Sequence, residues 1–288
     1  MYMIDYLGCL TFCLTYCIII LDYMKVSDLM NTYIMSDIHG CYDDFINMLK
    51  QINFRTNDQL ILAGDYIDRG IQNFEMLKWI ENAPYNVLLI KGNHEVEFAQ
   101  CINILSSFIN RIGIQIKDKN DLLKVCSVIK EDLNNNMFDY YGTLKQLIFD
   151  HNITLFDLNK WKKMIDNMPY IFKLTIKGNK HIITHAGYIS SEKFNIIKNK
   201  YDNIESFYMY AREDSLKYGC QKDTTIIFGH TPTIMNGEFY NDGNVYKHIG
   251  HNNCIFYNID CGKVYYSKKY KNAKLACIRL EDKQIYYI

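Results

Sequence analysis

Gly64-Asp65-Tyr66-Ile67-Asp68-Arg69-Gly70 is the stretch on which the fold turns. Residues 59–63 before it are mostly apolar and read as a strand, and residues 74–80 after it carry apolar side chains at helical spacing. The same unit precedes it: residues 32–36 read as a strand, Ser36-Asp37-Ile38-His39-Gly40 as a polar turn, and residues 42–51 as a helix with Phe45, Ile46, Leu49 and Ile52 in phase. It recurs once more where a strand over 87–90 leads into Gly92-Asn93-His94-Glu95. Strand and helix alternating in this order require parallel crossovers in an α/β layer.

In such a layer the carboxyl ends of the strands share one edge, so the three polar turns converge there. Thr184-His185-Ala186-Gly187 and Gly229-His230-Thr231-Pro232 follow later strands in the same way. Between the halves, residues 95–167 read as helices laid beside the core, with a polar patch at 134–136 and a loop around 140–143. Strands are expected over 170–176 and 181–184, joined by a hairpin turn at Lys177-Gly178-Asn179-Lys180. Further strands are expected over 224–228, 254–259, 274–279 and 284–287. The fold class is therefore α/β, a two-sheet β-sandwich flanked by helices, with one domain over 31–288 and a helical insertion at about 95–167.

Lys and Arg number 32, as do Asp and Glu, and this balance argues against a dedicated nucleic-acid binder. None of the ten cysteines forms a C-x-x-C pair, so free thiols in a reducing cytoplasm are expected, without a zinc knuckle or redox motif. Cys9, Cys13 and Cys17 fall four apart, on one face of a possible helix. Residues 1–30 form an extension whose uncharged stretch, residues 6–21, is shorter than the ~20 residues of a spanning helix. It also lacks a basic flank of the secretory type. A marginal membrane anchor, an apolar helix packed on the body and a segment outside the mature protein all stay open. Membrane association is expected only through residues 6–21, and otherwise a cytoplasmic monomer.

Asp37, His39, Asp65, Asn93, His185 and His230 offer hard oxygen and borderline nitrogen, a set suited to Mn²⁺, Fe or Zn²⁺. Two divalent ions side by side need a shared carboxylate with terminal ligands on each flank, and these six groups can supply both. The run D-x-H-G, G-D-x-x-D-R-G, G-N-H-E, H-A-G and G-H-T-P resembles the calcineurin-like metallophosphoesterases. Within them it is most similar to the phosphoprotein phosphatase branch with its bacterial and phage members. The resemblance implies that Asp37 and His39 bind one metal, Asp65 bridges, and Asn93, His185 and His230 bind the other, with manganese expected. It further implies that Arg69 and Arg212, with Asn93, bind phosphate, and that His94 is the general acid oriented by Asp68. Asn258-Ile259-Asp260-Cys261-Gly262 resembles the family's closing strand, where Thr is more usual than Cys261. Lys91 stands where relatives often carry Arg, a point charge in place of a bidentate fork, with a modest effect on substrate choice expected.

A serine/threonine protein phosphatase follows from the resemblance, a metal-dependent phosphoric monoester hydrolase in which a metal-bridging hydroxide attacks directly. Its substrate would be a phosphorylated protein or a small phosphorylated molecule. Asp68 and the closing Glu95 favour that branch. The alternative is a symmetrical dinucleoside tetraphosphate hydrolase, a branch that tends to lack an equivalent of Asp68. A silent binding scaffold is disfavoured because every metal ligand is present. His151, His181, His248 and His251 are expected to be surface or core residues, with the cleft rim an alternative for His248 and His251, Tyr265 and Tyr266 to be strand residues, and Lys268, Lys269 and Lys271 to lie in a solvated loop.

Overall fold

A computed structural model describes residues 31–132 and 138–288. The extension over 1–30, with its three spaced cysteines, and the polar patch at 134–136 lie outside the described residues. β1 (Thr32–Met35), β2 (Gln59–Ala63) and β3 (Val87–Ile90) run parallel, linked by helices α1 (Tyr42–Gln51) and α2 (Asn73–Glu81). Four helices follow: α3 (Asn93–Ile112), α4 (Lys119–Asp132), α5 (Phe138–His151) and α6 (Leu155–Asp166). The loop expected around 140–143 instead lies inside α5, whose apolar residues Leu144, Leu147 and Ile148 bury along one face.

The second sheet comprises β4 (Ile171–Ile176), β5 (Asn179–Thr184), β6 (Thr224–Phe228), β7 (Tyr246–Ile249) and β8 (Ile255–Asn258), in the order β4-β5-β6-β8-β7. β4 and β5 close over Lys177 and Gly178, both at positive φ, the conformation that a two-residue hairpin demands. β7 escapes the sequence pattern: only four residues long, at a sheet edge, it alternates half-buried and exposed positions. The last strands, β9 (Ala276–Arg279) and β10 (Ile285–Tyr287), return to the first sheet, giving β10-β9-β1-β2-β3. Short helices α7 (Ser191–Ile197), α8 (Ile204–Tyr210) and α9 (Asp214–Tyr218) cover the second sheet.

Alternation along the strands builds the layers. Ile34, Ile61 and Ile90 point between the sheets and meet Ile183, Ile227 and Tyr257. Their neighbours Tyr33, Met35, Leu60 and Leu62 point outward under Phe45, Met48, Met76 and the insertion's Phe98 and Trp161. Because both faces of β1 and β2 are covered, these strands read as continuous apolar runs with no polar alternation. No helix among the described residues is long and apolar enough to cross a membrane. The seven described cysteines are all free, five of them buried.

Candidate metal centre

The turns after β1 and β2 stay in register past the strand ends, with the amides of Asp37, His39 and Gly40 donating to the carbonyls of Gly64, Asp65 and Tyr66 at 2.8–3.0 Å. Asp37, His39, Asp65, Asp68, Arg69 and His230 all have positive φ. Left-handed backbone is costly for residues with a Cβ and collects at functional sites. Here it turns polar side chains inward from the ends of several strands. Gly229 is required by contact, since a Cβ there would run into the Asp37 carboxylate.

Asp65 stands at the middle. Its carboxylate lies 3.5 Å from His39 Nε2 on one side and 3.3 Å from His185 Nε2 on the other. Asn93 Oδ1 lies 3.1 Å from both His185 Nε2 and His230 Nδ1. Donor atoms of Asp65, His185 and His230 lie within 4.8 Å of one another, and so do those of His39, Asp65 and His94. The ring orientations are fixed from behind. The carbonyl of Ile67 is 2.9 Å from His39 Nδ1, and that of Ala63 is 2.9 Å from His185 Nδ1. Each Nδ1 therefore carries the proton, leaving Nε2 to face the centre as a donor atom.

Charge at the centre fits a cation. Burial alone would lower the basicity of His185, but Asp65 overrides it and lifts the ring to about 10. Burial drives His230 far below the usual imidazole range, with His185 adding to the effect, and drives His39 down to about 3. Burial pushes Asp37 up to about 6 and Asp260 well above the carboxylate range, each raised further by a neighbouring aspartate. A proton on His185 thus sits among the oxygens of Asp65 and Asn93, where divalent cations would satisfy the same donors. Residues and group fit: Asp65, Asn93, His185 and His230 could hold one ion, and His39 and Asp65 another. Asp37 is buried beside them, but its two oxygens accept the His230 amide at 3.1 Å each, and it stands outside the tight His39–Asp65–His94 cluster.

His94 sits edge-on to His39, with its Nδ1 2.9 Å from Asp68 Oδ2. Burial opposes protonation of His94, yet Asp65 and Asp68 raise it above the ordinary imidazole value. An Arg69 nitrogen lies 3.0 Å from His39 Nε2, the atom a cation would take, and its guanidinium lies 5.6 Å from the centre of the Tyr265 ring. Arg212 is exposed across the site and donates to Thr231 Oγ1 at 3.1 Å.

Other contributors are not evident from motif reading. Glu95 is a brace: its two oxygens accept the amides of Asp65, Tyr66 and Gly92 at 2.8–2.9 Å, and burial pushes it up to about 7. The capping-box spacing Gly92-x-x-Glu95 was the signal that could have shown it. Tyr265 lies in a 3-10 turn, Lys263–Tyr265, with exposed Tyr266 just past its end, and neither is in a strand as expected, because the chain bends back toward Arg69. Lys91 is engaged within the protein. Its ammonium donates to the Asp166 carbonyl at 3.0 Å and lies 4.6 Å from the Tyr170 ring centre, so its charge caps the end of α6. His151 stacks on Phe74, and buried His181 meets Lys283, as structural histidines do.

A carboxylate held between imidazole-rich flanks, at the edge of a two-sheet sandwich, defines a metal-dependent phosphoesterase. The chain matches the calcineurin-like phosphoesterase family over residues 30–260 and belongs to it. It is 27% identical over 246 residues to a symmetrical bis(5'-nucleosyl)-tetraphosphatase of Wigglesworthia glossinidia brevipalpis, covering 72% of this chain and 87% of that one. It is 33% identical over 127 residues to the protein so described from Buchnera aphidicola, covering 42% and 40%. A crystal structure of a candidate diadenosine tetraphosphatase superposes with a TM-score of 0.52 at 13% identity, over 90% of this chain and 92% of that one, a likeness of fold.

Proposed function

We propose that this chain is a hydrolase of dinucleoside tetraphosphates that delivers water to a phosphorus atom at the Asp65 centre. The observation that carries the hydrolytic reading is Asp65 itself, within 3.5 Å of imidazole nitrogens on both flanks. The substrate is supported by the two relatives, each described as a symmetrical bis(5'-nucleosyl)-tetraphosphatase. Two divalent cations, one held by Asp65, Asn93, His185 and His230 and the other by His39 and Asp65, would acidify a water and offset charge on the phosphoryl oxygens.

The rest falls to the chain's own side chains. Arg69 and Arg212 bind the phosphoryl oxygens as charge builds on them. Asp68 holds Nδ1 of His94, so a proton on Nε2 points to the leaving oxygen. Glu95 keeps Asp65 and the turn at Gly92 in one frame.

A second reading, hydrolysis of phosphoserine or phosphothreonine esters, is favoured by the Asp68–His94 pair. An alcohol leaves as a far stronger base than a nucleoside diphosphate, and so depends more on a charged proton donor. Assay of the Mn²⁺-supplied protein on diadenosine tetraphosphate and on a phosphoserine peptide separates the two. The proposal expects adenosine diphosphate as the sole nucleotide product, with the higher kcat/KM. Faster release of phosphate from the peptide would transfer the assignment to the second reading.

A further inference from the structure

The basic run Lys268, Lys269 and Lys271 lies on a loop that the chain ties down at both ends, next to a candidate phosphate ligand. At its start Lys263 pairs with Asp44 at 2.8 Å, fixing the 3-10 turn to α1. At its end the Lys274 amide donates to the Cys261 carbonyl at 3.2 Å, and its ammonium to Asn244 Oδ1 at 2.8 Å. Asn272 donates to Asp242 at 2.8 Å. Within the loop, the amide of Tyr270 bonds back to the carbonyl and hydroxyl of Ser267, making a closed turn.

The charges divide accordingly. Lys263 and Lys274, at the two ends, are spent on the protein. Lys268, Lys269 and Lys271 are exposed, and none has a carboxylate within ion-pair distance among the described residues. Lys269 lies over the Tyr270 ring at 4.9 Å, a contact that leaves its charge in place, and in a charge-balanced chain three ammonium groups within four residues without a carboxylate partner form a local positive field.

Its position follows from chain length. Tyr265 has its ring centre 5.6 Å from the Arg69 guanidinium. Lys268 lies three residues beyond Tyr265, a span of at most about 11 Å along the backbone. A lysine side chain adds several ångströms of reach. The Lys268 ammonium is therefore within reach of groups attached next to a phosphoryl held by Arg69, and the closed turn between Ser267 and Tyr270 keeps Lys269 and Lys271 beside it.

We propose that Lys268, Lys269 and Lys271 recognise the phosphates adjoining the one that is cleaved, making the loop a specificity element for a polyphosphate chain. This rests on the assignment of Arg69 as a phosphate ligand under the proposed function. A simple monoester has no second phosphate to engage, so the loop discriminates by charge carried beyond the reacting group.

The test compares the full wild-type chain with K268Q/K269Q/K271Q and with K268R/K269R/K271R, all at one fixed free Mn²⁺ concentration. Tripolyphosphate is titrated as an inhibitor of p-nitrophenyl phosphate hydrolysis, and KM is measured for diadenosine tetraphosphate. The glutamine variant is expected to raise both Ki and KM about tenfold, with a weaker salt dependence. KM for p-nitrophenyl phosphate should move less than about twofold, and the arginine variant should restore wild-type values. Equilibrium binding of tripolyphosphate gives the same comparison without turnover. Unchanged Ki and binding, or an equal loss on the monoester, would overturn the proposal. So would a loss confined to an acidic phosphopeptide. If wild type spares diadenosine tetraphosphate while tripolyphosphate still depends on the lysines, the substrate assignment fails and the loop assignment stands.

Discussion

Asp68 Oδ2 lies 2.9 Å from Nδ1 of His94, and both side chains are buried within the candidate site. An imidazole held in this way keeps one tautomer and gains basicity from the carboxylate. Replacing His94 with Asn should slow hydrolysis of alkyl phosphates by ~10²–10⁴-fold, and of phosphates with good leaving groups far less. An equal loss on both substrates would remove the proton-donor role.

The same pair fixes a pH dependence. His94 is raised above its ordinary value, and a proton donor works only while protonated, so activity should decline as pH rises through its pKa. Asp68→Asn removes one of the groups that raise it. The alkaline limb of the profile should then move to lower pH, and a limb that stays in place contradicts the coupling.

The Tyr210 hydroxyl donates to Glu97 Oε1 at 2.7 Å, linking α8 to the first turns of α3 across the rim of the site. Arg212 follows two residues later, and Tyr210 meets the His230 ring edge-on. Tyr210→Phe loses one hydrogen bond, which corresponds to about 2–10-fold. The loss should appear in KM more than in kcat, because Arg212 is loosened while the centre is kept. Steady-state kinetics will show whether the loss falls on kcat alone, an outcome inconsistent with that role.

Glu81 ties α2 to the insertion through Lys160, with Lys78 at 2.8 Å and the Trp161 indole N–H donating at 3.3 Å. Lys160 first, then Lys78, hold its carboxyl down to about 2 from an ordinary 4.5. A depressed acid adds stability above its unfolded pKa, and that stability fades as pH falls from 4.5 toward 2. Glu81→Gln should cost about 1 kcal/mol at neutral pH. Thermal melts should show its gap to wild type narrowing below pH 4.5, whereas a constant gap would deny the ionic contribution.

Much of this arrangement is legible in the sequence. β2, β3 and α1 fall on the expected residues because apolar runs buried on both faces end abruptly in glycine-flanked turns. The placement of the six candidate ligands at strand ends was legible for the same reason, since each follows a strand whose direction the crossovers set, although Asp37 stands outside the tight clusters. Relationships between distant segments were not. Nothing near Tyr265 in sequence marks it as a seat for Arg69, 196 positions earlier, and β7 is too short and exposed to declare itself. Lys91 was read from its place beside Gly92, although its charge is taken by a carbonyl 75 residues away. Substrate choice was the least legible, because the motifs describe the reacting centre and not the groups around it.

Asp65 is the shared side chain of the centre, and a calorimetric Mn²⁺ titration of metal-free protein tests that most directly. Two equivalents should bind to wild type, with a rise in melting temperature because only the folded chain collects the ligands. His185→Ala should lose one equivalent, and Asp65→Asn should lose tight binding of both. A single equivalent in wild type, or two retained by Asp65→Asn, would contradict a paired site built around this carboxylate.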